Sequence, residues 1–393
     1  MRRLLFLSCA VVFLDVTFFS VLTPLLPSYK SDHHLSEGAI GVLAGAFAAG
    51  SLVMAVPGGW LVARVGARKT VIAGLAGIGI CSPLFGFAEH IVLLDLLRFL
   101  QGGCGALMWA GAISWVVVAA PTARRGELLG IVIAAAVVGE LLGAPLGAIA
   151  HQVGTEPVFS MVLVAALILI TIAVTLPEPT GVESQPLGEA WRRIRQSDVP
   201  SGVLMLAGPS VAFGLVVVIG PLRMDDLGAS PFLIAAAFAS GSVVEAVVGP
   251  VIGRISDRVG RTLPYLIGAG ALILALVGLG IFDRLSLLFA VVMVMSFGAG
   301  MAFTPASTLV TDTATAAGVN QGYASGASNV AWGGGQMIGA IGGGALAGAA
   351  GYLLPCLVAA AVMAGVGIVA RSLGIGPPVI SDLSEEAGTA DGR

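Results

Sequence analysis

Asp15, Glu140 and Glu245 are carboxylic acids stranded in long apolar runs, and Arg98 is a guanidinium stranded in another. Placing such a group in hydrocarbon costs about 2.5–3.5 kcal/mol on insertion scales, so it pairs or faces water. A carboxyl group in low dielectric gives up its proton less readily than one in water, and its ionised form attracts a cation. One carboxylate that holds either a proton or a cation, never both, couples two flows in opposite directions. Asp15 lies about 16 Å along a helix from Leu4, near mid-bilayer. Glu140 stands beside a row of glycines, and Glu245 is about 13 Å from Arg254. Asp312 is a weaker candidate at the end of its run. For each acid the alternative is a protonated or hydrogen-bonded group with a structural role.

Arg98 opens the run Arg98-Phe99-Leu100-Gln101-Gly102-Gly103-Cys104-Gly105, about 10 Å in from Ile91. Gln101 shares its face at i, i+3, and Asp95 offers a structural partner at the same spacing. Farther on, Asn329, Trp332 and Gln336 share one helical face at i, i+3, i+7 and are candidates to line a cavity. Trp109 and Trp115 are candidate cavity walls, although an aromatic in such a run is more often packing or interface anchoring.

The elements that must position these residues are membrane helices. The chain is 57% hydrophobic and 10% charged, with mean hydropathy +1.00, against about 25% charge in soluble proteins. Water cannot solvate such a surface. Runs of about 20 apolar residues cross a bilayer as helices, and twelve are legible at 4–26, 38–61, 70–88, 91–119, 127–150, 157–176, 201–222, 231–253, 263–282, 286–306, 322–349 and 351–372. They are too continuous for barrel strands, which alternate polar and apolar positions. Many of the 56 glycines lie inside these runs, where small residues let helices approach closely. Gly322, Gly326, Gly335, Gly339 and Gly343 predict one such face. The first run follows Arg2 and Arg3 but has no small-residue cleavage site at its end, so it reads as a retained helix. Cys9, Cys81, Cys104 and Cys356 all fall within runs and read as packing residues.

With twelve spans and an inside amino terminus, fifteen basic residues fall inside, Arg2, Arg64, Arg124, Arg192 and Arg254 among them. Three fall outside: Lys30, Arg223 and Arg284. This positive-inside bias predicts a multi-pass protein of the inner (plasma) membrane with both termini cytoplasmic. The expected organisation is a six-helix bundle over 1–177, a cytoplasmic linker over 178–200, a second six-helix bundle over 201–375 and a disordered tail over 376–393. The linker carries Trp191-Arg192-Arg193-Ile194-Arg195 and reads either as a short amphipathic helix on the membrane surface or as a solvated tether.

The two halves repeat a sequence. Gly59-Trp60-Leu61-Val62-Ala63-Arg64-Val65-Gly66-Ala67-Arg68-Lys69 is matched 194 residues later by Gly253-Arg254-Ile255-Ser256-Asp257-Arg258-Val259-Gly260-Arg261. Gly59, Gly66, Gly253 and Gly260 permit tight turns. Asp257 can cap or pair at neighbouring helix ends, while Arg64, Arg68, Lys69, Arg258 and Arg261 also serve as plain topology anchors. Doubled membrane bundles commonly move solutes at a site between the halves.

These loops resemble the signature loop of the major facilitator superfamily, which follows spans two and eight. Ala63 and Ala67 depart from the family's Asp and basic residue. The gating contact that the resemblance implies is therefore carried only to Asp257. The run Arg98 to Gly105 resembles the family's span-four motif, whose Arg is linked to proton coupling. Gly130, Gly139, Gly143, Pro145 and Gly147 resemble its antiporter motif in span five, with the Pro displaced by one. Physically, Gly139, Gly143 and Gly147 make a smooth ridge and Pro145 a kink, expected to let this helix rock against its partner between the halves; ordinary small-residue packing is the alternative. Leu14-Asp15-Val16-Thr17 and Pro24-Leu25-Leu26-Pro27-Ser28-Tyr29 look like span one of the drug:proton antiporter branch. Within it they are similar to vesicular amine transporter-like members, whose matching Asp is implicated in binding an amine.

Neither Lys30 nor Lys69 follows Gly, so there is no phosphate-binding Gly-Lys-Ser/Thr loop, and the four histidines do not read as a metal cluster. The resulting expectation is a monomeric, all-α, twelve-helix transporter of the major facilitator fold, not an enzyme. It needs no cofactor, metal or nucleic acid. It exports a small hydrophobic compound, cations included, in exchange for protons. Asp15 leads the substrate and proton site, with Arg98, Gln101, Glu140, Glu245, Asn329, Trp332 and Gln336. Proton-coupled import of a nutrient is the alternative, and a non-transporting membrane receptor is a third possibility.

Overall fold

The computed structural model describes residues 1–121, 124–178 and 185–373, with the side chain of Asp257 outside that set. The tail expected at 376–393 and the start of the linker therefore lie outside the described residues. The described residues contain no strand. In hydrocarbon each backbone N–H must find its acceptor within its own segment, which makes helices of the apolar runs.

The helices of the first half are α1 (Arg2–Ser20), α2 (Leu26–Asp32), α3 (Glu37–Val65), α4 (Ala67–Gly86), α5 (Ile91–Ala119), α6 (Arg125–Val153) and α7 (Thr155–Thr175). A linker helix, α8 (Leu187–Arg195), leads to α9 (Val199–Asp226), α10 (Pro231–Val259), α11 (Thr262–Ile281), α12 (Leu285–Ala316), α13 (Gln321–Met337), α14 (Gly343–Ala350) and α15 (Leu353–Leu373). Among the described residues, eleven helical stretches are long and apolar enough to cross a membrane, the first running through α1 and α2. The remaining span is broken: a π-turn at Ile338–Gly342 separates α13 from α14. The first span is jointed too. Pro24 and Pro27 lack the N–H that a helix ladder needs, and a 3₁₀ turn at Thr23–Leu25 joins α1 to α2. Several helices outrun the predicted spans, α3 to Val65, α10 to Val259 and α12 to Ala316.

The 194-residue repeat extends beyond the loops. Ser36 caps α3 by accepting from the Ala39 N–H, and Ser230 caps α10 by accepting from the Leu233 N–H. Both helices are 29 residues long, and both end on a glycine of positive φ, Gly66 at 97° and Gly260 at 87°. That conformation is open to glycine and strained for most other residues.

Each half has its own apolar core, around Leu7, Leu75 and Val162 in the first and Leu272, Leu279 and Met363 in the second. The halves meet along two seams, α3 against α13 and α14, and α6 against α10. The glycine row of the broken span serves two neighbours rather than one face. A Cβ at Gly322 or Gly326 would approach Gly59 or Ala55 of α3, whereas one at Gly335, Gly339 or Gly343 would approach Ser210, Val211 or Leu215 of α9. The linker helix is docked. Arg193 donates to the Gly318 carbonyl at 2.8 Å and pairs with Glu189 at 2.5 Å, while Ala190 is buried and Trp191 is exposed.

Candidate functional site

A cavity of about 640 Å³ lies between the halves. It runs from mid-bundle, at Asp15, Phe47 and Gln336, to the end that carries the basic loops, at Gly126, Asp312 and Gln321. Its walls are largely aromatic and aliphatic, with Phe19, Phe47, Phe213, Phe303 and Trp332 prominent, and its described lining holds no Lys, Arg or His.

Asp15 is 4% exposed on α1. Trp109 of α5 donates its indole N–H to Asp15 Oδ2 at 2.9 Å. Gly105, one turn earlier on α5, leaves the space in which the carboxyl group sits, because a Cβ there would collide with Asp15 Oδ1 and crowd Oδ2. Asp15 Oδ1 is buried with no hydrogen-bond partner in the described structure, and so is Gln336 Nε2 on α13. A buried polar atom left without a partner is costly, and at a cavity wall a ligand can satisfy it. Glu140 of α6 and Glu245 of α10 both line the cavity. Ser242 of α10 donates its hydroxyl to the Phe238 carbonyl of its own helix at 3.1 Å, and Glu140 and Glu245 lie within electrostatic reach of each other. Asn329, Trp332 and Gln336 also line it, with Trp332 edge-on to Phe19 at 5.7 Å.

Arg98 and Gln101 stand outside this cavity. Arg98 is 1% exposed; it donates to Gln101 Oε1 at 3.1 Å and to the Phe18 carbonyl at 3.4 Å, and its guanidinium lies over Phe47 and Phe85. Gln101 donates in turn to Ser82. The Arg98 charge still reaches Asp15 electrostatically, though no ion pair joins them among the described residues. Its side-chain partner is Gln101 rather than Asp95, whose Oδ1 is itself buried without a partner. The face of α5 that meets Asp15 carries Gly105 and Trp109, i and i+4, while Arg98 lies farther along toward the other end. Trp115, a candidate cavity wall from the sequence, is instead buried in the first core, because its face of α5 turns into the half; Trp109 does line the cavity.

The glycine ridge of α6 corrects another expectation. A Cβ at Gly139, Gly143 or Gly147 would meet the backbone of α1 at Phe13, Thr17 or Val21. The ridge therefore packs against α1 of its own half rather than against the helices of the other. Gly130, at the start of the same pattern, has nothing within 4 Å of its Cβ position. Pro145 lies inside α6, whose helix continues through it.

At the basic end, Arg68 pairs with Glu178 at 3.0 Å and donates to the Leu176 carbonyl at 2.9 Å. Arg64 lies over the Trp60 ring, and Arg261 pairs with Asp312. Lys69 and Arg258 are exposed. Gly59 packs against Gly322, while a Cβ at Gly253 would meet only Thr304. The side chain of Asp257, expected to gate this end, lies outside the described residues. Phe19, Phe47, Phe213 and Phe303 line the cavity without a signal in the sequence, since phenylalanine in an apolar run carries no local mark of facing a cavity.

Doubled helical bundles enclosing a central cavity that reaches one end define a membrane transport protein. The chain belongs to the Major Facilitator Superfamily, whose family model matches residues 8–321 and 202–390. It is 28% identical over 174 residues to the MFS-type transporter ppzB of Metarhizium rileyi, covering 42% of this chain and 35% of that protein. It is 27% identical over 176 residues to Multidrug resistance protein 2 of Bacillus subtilis, covering 44% and 43%. It is 27% identical over 241 residues to the Tetracenomycin C resistance and export protein of Streptomyces glaucescens, covering 58% and 41%. The matched segments thus span less than half the length of these relatives. In fold the chain is similar to a D-xylose-proton symporter, with TM-score 0.74, 16% identity and coverage of 94% of this chain and 97% of that one. Members of this family are transporters rather than enzymes.

Proposed function

We propose that this protein is a proton-coupled antiporter that exports small hydrophobic compounds, cations included, by alternating access. The observation that carries the reading is the cavity itself: apolar and aromatic walls, four carboxyl groups from α1, α6, α10 and α12, and no basic side chain in its described lining. Such a wall favours a cation with apolar surface, and aromatic faces add to that attraction. Relatives named for multidrug resistance and for tetracenomycin C export support the direction. On this reading the basic end faces the cytoplasm, the protein lies in the inner (plasma) membrane as a monomer, and the proton gradient drives it without a cofactor. The test is ethidium movement in inverted vesicles with an imposed pH gradient. Ethidium uptake with proton efflux supports exchange, and Asp15→Asn is expected to abolish it; full activity of Asp15→Asn with every compound carried would remove Asp15 from the mechanism. The second reading, proton symport of a nutrient, is favoured by the likeness to the D-xylose-proton symporter. Proton movement in the same direction as the solute would establish it instead.

A further inference from the structure

The seam between α6 and α10 changes character along its length. Away from the basic end, Ala144 and Ala148 of α6 pack with Ala235 and Phe238 of α10. Toward the basic end the helices part: a Cβ at Gly126 or Gly130 would meet nothing within 4 Å, and one at Gly253 only Thr304 at 3.8 Å. Glu140 and Glu245 stand near the middle of their helices, where this packing gives way to cavity. Glu140 and Glu245 line this one cavity from the two sides of the seam, within electrostatic reach of each other. Among the described residues, the cavity lining supplies no balancing cation. Toward the pair, α1 offers Asp15, α5 offers Trp109, and α13 offers Asn329 and Gln336. Asp312 of α12 is tied to Arg261 of the α10–α11 loop. Two facing carboxylates without a cation do not readily both ionise, and one proton between them turns repulsion into an O–H···O⁻ hydrogen bond.

Resting on the exchange reading above, we infer that the Glu140–Glu245 pair is the coupling site, one proton shared between the two halves, and that Asp15 serves the cargo. With the proton shared, α6 and α10 are drawn together at mid-membrane. When it leaves to water at the basic end, both groups are ionised and the seam stands open. A cationic cargo then restores the charge balance, so proton and cargo occupy the cavity in turn. Asp15 has no such lever. The groups that hold its carboxyl, Trp109 and Gly105, belong to its own half, so its titration leaves the seam unmoved.

The experiment places spin labels at Gly130→Cys and Gly253→Cys in the full chain in lipid nanodiscs, with singly labelled variants as controls for the native cysteines. Distances are read without cargo across the range in which buried carboxyl groups titrate, about pH 5 to pH 9. The native pair of glutamates is expected to give a longer-distance population that grows as pH rises. Glu140→Gln keeps a permanent amide donor facing Glu245 and is expected to hold the short population throughout. The double variant Glu140→Gln, Glu245→Gln is expected to lose the pH dependence, and Asp15→Asn to keep it. Glu140→Asp, which preserves the pair, is expected to restore the shift and guards against simple misfolding of the Gln variants. A pH-dependent distance that persists in the double Gln variant, or disappears in Asp15→Asn, overturns the assignment. Ethidium–proton exchange in vesicles is scored separately. Exchange with a pH-insensitive seam removes the pair and leaves the antiport reading standing. A pH-sensitive seam without exchange upholds the pair's control of the seam and removes antiport.

Discussion

The Asp15 carboxyl group lies where residue 105 would carry its Cβ, so the cavity's most buried acid exists in its present position because Gly105 is a glycine. Gly105→Ala is expected to push the carboxyl off α5 and away from Trp109. Overpacking of this kind costs about 1–3 kcal/mol. The expected readout is a cargo affinity reduced roughly tenfold or more, since each 1.4 kcal/mol is a factor of about ten. Ethidium binding to the purified variant measures it, and unchanged affinity would show that this position of Asp15 does not matter.

Trp109→Phe keeps an aromatic wall and removes the indole N–H that reaches Asp15 Oδ2. A hydrogen bond to a charged group contributes about 1.5–3 kcal/mol. The variant is expected to fold and to show a KM raised about tenfold or more, with the maximal rate changed less. Transport kinetics across a concentration series separate the two, and an unchanged KM would place the indole outside cargo binding.

The glycines of α6 are expected to differ sharply from one another. Gly143→Leu drives a side chain into the α1 backbone at Thr17 and the Ser20 Cβ, whereas Gly130→Leu enters open space. The first is expected to lower the thermal unfolding temperature by many degrees or to prevent folding. The second is expected to leave stability nearly unchanged and to narrow the cavity mouth, where Gly130 is part of the lining. Comparing unfolding temperatures of the two detergent-purified variants tests this; equal stability would contradict the packing.

Arg261 is 4% exposed and pairs with Asp312, whose side chain is half exposed. Asp312→Asn strips a nearly buried guanidinium of its counter-charge. Water at the exposed carboxylate side moderates the loss to about 1 kcal/mol. The expected result is a modest fall in unfolding temperature that shrinks in high salt, because salt screens the pair in the parent protein as well. A fall that grows with salt would rule out an electrostatic origin.

Much of the fold was legible beforehand in particular residues. The apolar runs marked the helices, and the matched loops at Gly59–Lys69 and Gly253–Arg261 marked the doubling, which the structure extends to the Ser36 and Ser230 caps. The breaks were less legible. The π-turn at Ile338–Gly342 sits in a run whose glycines signal close packing, and nothing local distinguishes packing from a widened turn. Of the candidate site residues, Asp15, Glu140, Glu245, Asn329, Trp332 and Gln336 line the cavity, while Arg98 and Gln101 stand behind its wall.

Composition and period by themselves determined that this chain is a bundle of membrane helices in two matched halves, because the length and apolarity of a span are local properties. Which way each helix is turned about its axis was decided only by tertiary packing. A span apolar on every side carries no stripe to orient it; close contacts such as the Gly139–Gly147 ridge on α1 do so instead. That rotation is what brings Glu140 to face Glu245 from the opposite half and leaves Arg98 enclosed.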